Sequence, residues 1–218
     1  MIAGIPIHLL TPPLSNRTTA GADHTIAIVS AVLEGSLARS APSVVVAPAG
    51  LVTFDDEDEA MACAERLRAV ARRTSTAFIF GLDVGPPRPH ASRMFACLGG
   101  AAVVWPAISQ PRFPADAESR VVQLGGARLL PLFASEALDP AAPRRVAALG
   151  SIDAIAVLSH GGATRRWVDA LTKLERIAPL VVATHHGGAG RGYVSPLLQA
   201  SFRQVGVGGL VPALAEAA

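Results

Sequence analysis

Apolar residues along the chain form two recurring patterns, short unbroken runs and longer segments with an apolar residue at every third or fourth position. Unbroken short runs are typical of strands buried on both faces, and the three-to-four spacing is typical of a helix with one buried face. The strand pattern occupies residues 2–10, 44–47, 76–82, 152–158 and 180–183, and the helical pattern occupies residues 24–39 and 164–178. Their alternation predicts a layered α/β domain.

The clearest helix signals lie between residues 55 and 73. Asp55 and Asp56 can cap the first turn, which carries three further acids, and Arg72 and Arg73 stand in the last turn. Acids near the start of a helix and bases near its end both interact favourably with the helix dipole. We therefore expect a helix here. Its expected inner face consists of Ala60, Cys63, Leu67 and Val70.

Two glycine pairs predict tight turns between extended segments. Gly99-Gly100 divides residues 94–104, and Gly125-Gly126 divides residues 121–133. A short helix is expected at residues 143–149. Beyond Val194 the chain is apolar and rich in glycine but has no clear period, so we predict no element there.

Length and composition favour one domain covering residues 1–218. A chain of 218 residues can bury one sizeable core. Half of the residues are hydrophobic, yet charged residues, His, Pro or Gly interrupt each run before the ~18 residues that a membrane helix needs. The first ten residues lack the positive region of a signal peptide, so we expect a cytoplasmic protein that does not interact with membranes.

Charge and cysteine content argue against several classes of function. The net charge is +2 and the arginines are scattered in pairs, so nucleic acid is not an expected partner. Cys63 and Cys97 have no zinc spacing and are interpreted as buried thiols in a reducing compartment. We expect no metal site and no cofactor. The 19 basic residues include one lysine, Lys173.

The order of elements resembles the carbon-nitrogen hydrolases of the nitrilase superfamily. Residues 44–50 read Val-Val-Val-Ala-Pro-Ala-Gly, and a loop, a long helix and a strand ending in Phe-Gly-Leu at residues 80–82 follow. Residues 128–136 resemble the family's nucleophile segment, an apolar strand followed by Cys, any residue and an acid. The resemblance covers roughly residues 1–193. It implies a four-layer α-β-β-α sandwich, truncated at the C-terminus because the chain is short for the family, and a homodimer or a partner protein.

The family's chemistry needs a thiolate nucleophile, a Glu that moves protons and a Lys that stabilises the oxyanion. When this chain is matched to the family, Ala49 stands at the position of the Glu and Ala134 at the position of the nucleophile. The position of the Lys falls near Ser109. None of these side chains can perform the required step. The resemblance therefore implies a protein that has lost the family's C–N hydrolase activity and serves as a small-molecule-binding or partner subunit.

A six-residue pattern follows two of the predicted strands. It reads His-Gly-Gly-Ala-Thr-Arg at residues 160–165 and His-Gly-Gly-Ala-Gly-Arg at residues 186–191. Glycine pairs allow backbone N–H groups to face a ligand, and Arg beside His suits a carboxylate or phosphate, so we expect a small anionic ligand. The alternative is that the glycines make tight turns and each His caps a strand or helix end. The candidate ligand-binding residues are Gly161, Gly162, Arg165, His185, Gly187, Gly188 and Arg191.

A second alternative is an amide or ester hydrolase in the same pocket. Ser135 and Glu136, with His160, His185 or His186, contain the side-chain types of a Ser-His-acid triad. This reading requires contact between Ser135 and a histidine that Glu136 holds. A metal site built by the same histidines is the weakest alternative.

Overall fold

Two β-sheets and the helices packed on them make up the chain in the computed structural model. The structure describes residues 7–10, 23, 26–27, 29–31, 34, 43–74, 76–84, 91–98, 101–105, 112–124, 126–160, 164–186, 189–196, 198, 202–205 and 209–210. The strands are β1 Ile7–Leu10, β2 Ser43–Val46, β3 Val52–Phe54, β4 Thr76–Val84, β5 Ala91–Leu98, β6 Ala101–Trp105, β7 Val122–Leu124, β8 Ala127–Phe133, β9 Ala154–Leu158, β10 Leu180–His186, β11 Ala189–Val194, β12 Phe202–Val205 and β13 Gly209–Leu210. The helices are α1 Glu57–Arg73, α2 Ala134–Ala137, α3 Ala142–Ala148 and α4 Arg165–Glu175, with a 3-10 turn at Ala117–Arg120.

The first sheet has the strand order β12-β1-β2-β4-β5-β6. Strands β12, β1, β2 and β4 are parallel, and β5 and β6 continue the sheet with antiparallel pairing. Strand β3 pairs with the same neighbour as β2, because Val46 pairs with Ile79 and Val52 pairs with Leu82. Residues 47–51 therefore form a turn between two strands that both pair with β4.

The second sheet has the strand order β13-β11-β10-β9-β8-β7. Its centre is parallel, since β8 pairs with β9 and β9 with β10 in the same direction. Parallel neighbours need a crossover connection, which α2 and α3 provide after β8 and α4 provides after β9. Strands β7 and β11 add antiparallel pairs on the two sides.

Alternate residues of the central strands belong to different cores. In β4, Ala77 and Ile79 lie in the core between the two sheets, whereas Phe78, Phe80 and Leu82 lie in the core under α1. A strand covered on both faces has no polar side, which is why residues 77–82 of this strand are apolar, with Asp83 as the charged exception near its end.

The second sheet divides its residues in the same way. In β9, Ala156 and Leu158 face the core between the sheets, while Ile155 and Val157 pack in the core that contains Trp167 of α4. Three cores thus separate four layers in the order α-β-β-α. The predicted fold class is confirmed.

The predicted helix at residues 55–73 is confirmed as α1. Its N-cap is Asp56, whose Oδ1 accepts a hydrogen bond from the Glu59 backbone N–H at 2.8 Å. Cys63 and Leu67 are buried as expected. The strands beside both predicted turns pair antiparallel, β5 with β6 and β7 with β8, while Gly99, Gly100 and Gly125 lie outside the described residues.

The sequence pattern missed several short elements. Strands β12 and β13 lie beyond Val194, where no element was predicted, and β3 follows directly after the turn at residues 47–51. These strands have two to four residues and pair with distant partners, for example Phe202 with Ile7, so no local period marks them. The described residues between 23 and 34 are helical, as expected, and the predicted strand residues 2–6 lie outside the described ranges.

Candidate functional site

The turns that carry the candidate residues meet at one end of the sandwich. Ala49 follows β2, Asp83 is near the end of β4, Ala134 follows β8 and His160 follows β9. Strands β2 and β4 are parallel, as are β8 and β9, and a contact between Asp83 and His160 joins their carboxyl ends across the two sheets. Ligands of α/β proteins bind at the carboxyl ends of parallel strands, so this end is the candidate site.

The turn that carries Ala49 is held tightly against β4. The backbone N–H groups of Ala47 and Leu51 donate to the carbonyls of Ile79 and Gly81, both at 2.8 Å. A Cβ on Gly81 would lie 2.8 Å from the Cα of Ala49, so glycine is needed for this approach. Ala49 itself is completely buried, and its methyl group lies in the core between the sheets.

Asp83 and His160 form a polar pair that links the two sheets. Nε2 of His160 lies 2.9 Å from both Oδ1 and Oδ2 of Asp83. Asp83 continues the row of Ala77 and Ile79 on β4, and His160 continues the row of Leu158 on β9, so both project between the sheets. The carboxylate is 6% exposed and the imidazole 42% exposed, so the pair reaches from the core to the surface.

Gly50 provides the space for this pair. Its φ is +62°, a left-handed conformation that favours glycine. A Cβ at this position would lie 2.8 Å from Oδ2 of Asp83 and 2.9 Å from Cδ2 of His160. The residue next to Ala49 therefore packs directly against the Asp83–His160 pair.

The turn after β8 is shaped by Glu136. Ala134 and Ser135 open the short helix α2 and are half-buried, whereas Glu136 is fully buried. One Glu136 oxygen accepts the Phe133 backbone N–H at 2.9 Å, and the other accepts Nη1 of Arg120 at 2.8 Å. Because Glu136 bonds to the residue before Ala134, the ion pair fixes the turn at the nucleophile position.

Burial dominates the electrostatics of this carboxyl group. Loss of solvation raises the pKa of Glu136, and the Arg120 charge and the Phe133 N–H act in the opposite direction. Arg120 is itself 2% exposed and has Asp116 as a second, more distant partner at 3.6 Å, so Arg120 is the charge that neutralises the buried Glu136.

The side chains proposed as a Ser-His-Glu triad are not assembled in that form. Glu136 bonds to Arg120 and Phe133, and the acid that holds His160 is Asp83. The combination of Glu136 with His160 is therefore corrected, because Arg120 binds the Glu136 carboxylate, and the combinations with His185 or His186 stay predictions. His185 and His186 are the last two residues of β10.

The two His-Gly-Gly sequences have different local structures. After His160 the chain enters α4, whose N-cap Thr164 accepts a hydrogen bond from the Trp167 backbone N–H. After His186 it turns directly into β11, with His186 paired to Ala189 and His185 to Gly190. The second sequence thus lies between two antiparallel strands and the first between a strand and a helix, while Gly161, Gly162, Gly187 and Gly188 lie outside the described residues.

The remaining candidates fall into two groups. Arg165 is exposed at the first position of α4, and the Arg191 backbone pairs with Thr184 in the second sheet. The others lie outside the described residues, namely Ser109, Gly161, Gly162, Gly187 and Gly188.

A reactive thiol is not found at this end of the described structure. Cys63 is buried in the outer core under α1, and burial raises its pKa to about 12. The Cys97 backbone lies in β5, where it pairs with Phe78. At neutral pH the Cys63 thiol is protonated and inert.

Sequence reasoning missed Asp83, Gly50 and Arg120. Asp83 was detectable in principle, since it is the one charged residue of the run that forms β4. Its partner was not detectable, because the contact depends on how two sheets stack.

Two kinds of feature are absent from the described residues. No group of three or more His, Cys, Asp or Glu side chains is arranged to hold a metal ion. None of the described helices has the length and apolar character needed to cross a membrane.

Comparison with known proteins was informative at the level of structure. No protein-family model and no curated protein sequence matches the chain. A CN-hydrolase superfamily protein from Xanthomonas campestris, solved with an arsenic adduct in its active site, superposes with a TM-score of 0.63 and 15% identity, over 87% of this chain and 82% of that one.

Two further structures give the same result. A cysteine-to-alanine mutant of a Nesterenkonia AN1 amidase from the nitrilase superfamily has a TM-score of 0.62 and 17% identity, over 87% of this chain and 80% of that one. A carbon-nitrogen hydrolase from Helicobacter pylori G27 has a TM-score of 0.59 and 12% identity, over 87% and 81%. The chain therefore has the fold of the carbon-nitrogen hydrolases of the nitrilase superfamily.

Proposed function

We propose that this protein does not perform the cysteine-based C–N hydrolysis of the family whose fold it has, and that it binds a small molecule as a binding or partner subunit. The observation that carries the proposal is the pair of methyl groups at Ala49 and Ala134. These residues occupy the turns after β2 and β8, where the resemblance places the proton-transferring Glu and the nucleophile.

The chemistry explains why these positions matter. Attack on an amide carbon needs a nucleophile with a lone pair and a group that accepts its proton, and an alanine side chain supplies neither. The described thiol, Cys63, lies under α1 in the outer layer, so it cannot replace a residue at the end of β8.

The same end of the sandwich keeps features that suit a binding site. The Arg120–Glu136 ion pair and the hydrogen bonds of residues 47–51 hold both turns in place without a ligand. Asp83 and His160 contribute hydrogen-bonding groups between the turns, with the imidazole partly exposed. Preformed backbone with a few polar groups is typical of small-molecule sites.

The proposal is tested with short amides and with a cysteine placed at residue 134. We expect no ammonia release when the native protein is incubated with butyramide. The Ala134→Cys variant should form a covalent adduct with acrylamide, visible by intact-protein mass spectrometry. An exposed cysteine on α3, Ala148→Cys, gives the reference rate for an unhindered thiol.

Two outcomes would overturn the proposal. Ammonia release by the native protein would show that hydrolysis persists without the thiol. Failure of Ala134→Cys to react, while Ala148→Cys reacts, would show that the nucleophile position does not face an accessible pocket.

A second candidate function is ester or amide hydrolysis by Ser135. The observation that favours it is the Asp83–His160 pair, because an acid-held histidine at the end of β9 is next to the strand whose end carries Ser135. Its test is hydrolysis of p-nitrophenyl acetate by the native protein and by Ser135→Ala. A rate that falls at least about a hundredfold in the variant would establish this function and remove the first proposal.

A further inference from the structure

A cavity of about 430 Å³ lies between the chain segment after α2 and the outer surface of α4. Small-molecule sites have volumes of roughly 300–1,000 Å³, so a ligand of a few heavy atoms fits. Five apolar residues and five charged residues line the cavity, the apolar ones being Ala137, Leu138, Pro140, Pro143 and Ala170. Ala49, Asp83, Ala134 and His160 are not among its lining residues, and Arg165 is the one sequence-predicted ligand residue that it shares.

The cavity has more basic than acidic lining residues. Arg165, Arg166 and Lys173 supply three positive charges, and Asp139 and Asp169 supply two negative ones. The three basic side chains take part in none of the hydrogen bonds or ion pairs found among the described residues. Their donors are therefore available to a ligand.

Both carboxylate oxygens of Asp139 already accept hydrogen bonds from the backbone. Its Oδ2 accepts the Phe113 backbone N–H at 2.7 Å, and its Oδ1 accepts the Ala141 backbone N–H at 2.8 Å. These bonds lower the pKa of Asp139 and commit both of its oxygens to the backbone. The carboxylate forms part of one wall of the cavity, and none of the hydrogen bonds or ion pairs found among the described residues joins it to the three basic groups.

The start of α4 departs from the charge pattern of α1. Helix α1 has three acids in its first turn and two arginines in its last, whereas α4 begins with Arg165-Arg166 and has no acid in its first turn. Positive side chains at this end repel the helix dipole. An unfavourable charge arrangement that no neighbouring residue offsets is typical of a functional position. A bound anion would offset the two arginines at the start of α4.

We propose that this cavity binds a small carboxylate with a short apolar chain. Arginine donates to a carboxylate through a planar fork of N–H groups, and the apolar wall would cover the chain of the ligand. The surplus of one positive charge suits a monoanion, whereas Asp139 and Asp169 would repel a group with two negative charges. The proposal rests on this cavity alone and does not depend on the proposed function.

Sodium butyrate and butyramide provide a matched pair of probes, since they have similar shape and differ in charge. We expect the full chain to bind butyrate saturably in calorimetric or NMR titrations, and to bind butyramide at least about tenfold more weakly. Added salt should weaken the binding of butyrate because the basic groups are exposed.

Variants assign the binding to the cavity. The double variant Arg165→Gln/Arg166→Gln and the single variant Lys173→Gln should each weaken butyrate binding. Arg176→Gln removes an exposed charge just beyond α4 that does not line the cavity, and should leave it unchanged. Thermal melting of each variant confirms that it is folded.

Four results of these titrations would overturn the proposal, and a fifth result comes from a variant at the candidate functional site. They are the absence of saturable butyrate binding, equal affinity for butyrate and butyramide, retention of affinity in the Arg165, Arg166 and Lys173 variants, and equal loss in Arg176→Gln. If only His160→Gln lost butyrate binding, butyrate would be bound at the candidate functional site. That result would also overturn the cavity proposal, but it would leave the proposed function intact.

Discussion

His160 and Asp83 meet across two sheets, with the imidazole Nε2 at 2.9 Å from each carboxylate oxygen. The two residues are 77 positions apart in sequence. Their contact lies beside Gly50, next to the position at which the family resemblance places a glutamate. A polar pair thus stands close to a site where the expected acid is a methyl group.

Removal of the imidazole should destabilise the protein. In His160→Ala the buried Asp83 carboxylate loses this donor, and we expect the free energy of unfolding to fall by about 1–3 kcal/mol. Urea denaturation at neutral pH measures the change. His160→Gln keeps a side-chain N–H and should lose less, so equal losses for the two variants would show that packing of the ring is the main contribution.

Substitution of Gly50 should cost more than substitution of a comparable glycine. Gly50 and Gly126 both have positive φ, +62° and +87°. An alanine at either position should cost about 1–2 kcal/mol in backbone strain. A Cβ at Gly126 meets nothing within 4 Å, whereas one at Gly50 would displace the Asp83–His160 pair. In thermal denaturation Gly50→Ala should therefore have a lower melting temperature than Gly126→Ala. Equal melting temperatures would contradict the close packing of Gly50 against Asp83 and His160.

The buried Arg120–Glu136 pair should show strong coupling. Glu136→Leu alone removes the buried and closer of the two carboxylates paired with Arg120, leaving Asp116 at 3.6 Å, and should lower the free energy of unfolding by up to about 3–5 kcal/mol. The double variant Arg120→Met/Glu136→Leu should lose much less than the sum of the two single variants. A double-mutant cycle in guanidinium chloride measures this, and additive losses would show that the two side chains act independently.

Asp139 should contribute to stability at neutral pH and lose that contribution in acid. Backbone N–H groups of Phe113 and Ala141 lower its pKa below the ordinary value of 3.8, so the folded state binds the proton less tightly than the unfolded state. The contribution is therefore present above pH 4 and disappears as the pH falls through the folded pKa. Asp139→Asn should flatten the decline of stability with acid, and an unchanged acid profile would contradict the assignment.

Much of the architecture could be predicted from local pattern. The apolar runs that became β4 and β9 indicate strands covered on both faces, and Asp56 with the following acids indicates the start of α1. These features depend on residues that are close to one another in the chain, so they can be predicted from a single sequence.

The site depended on contacts that no local pattern contains. Glu136 was a reasonable partner for a histidine until Arg120 was found beside it in the core. The two His-Gly-Gly sequences are nearly identical, yet one leads into a helix and the other into a hairpin, because the residues that follow them differ. The side-chain types in the sequence indicated candidate residues. The way the two sheets stack determines which of these side chains are in contact.

The pairing of β1 has a consequence for synthesis of the chain. Strand β1 lies between β2 and β12, so one of its edges is covered by residues near the start and the other by Phe202–Val205. On the ribosome this second edge stays open until residues 202–205 have emerged. An open strand edge is a template for pairing with other chains, so the nascent protein passes through a long period in which premature association competes with folding.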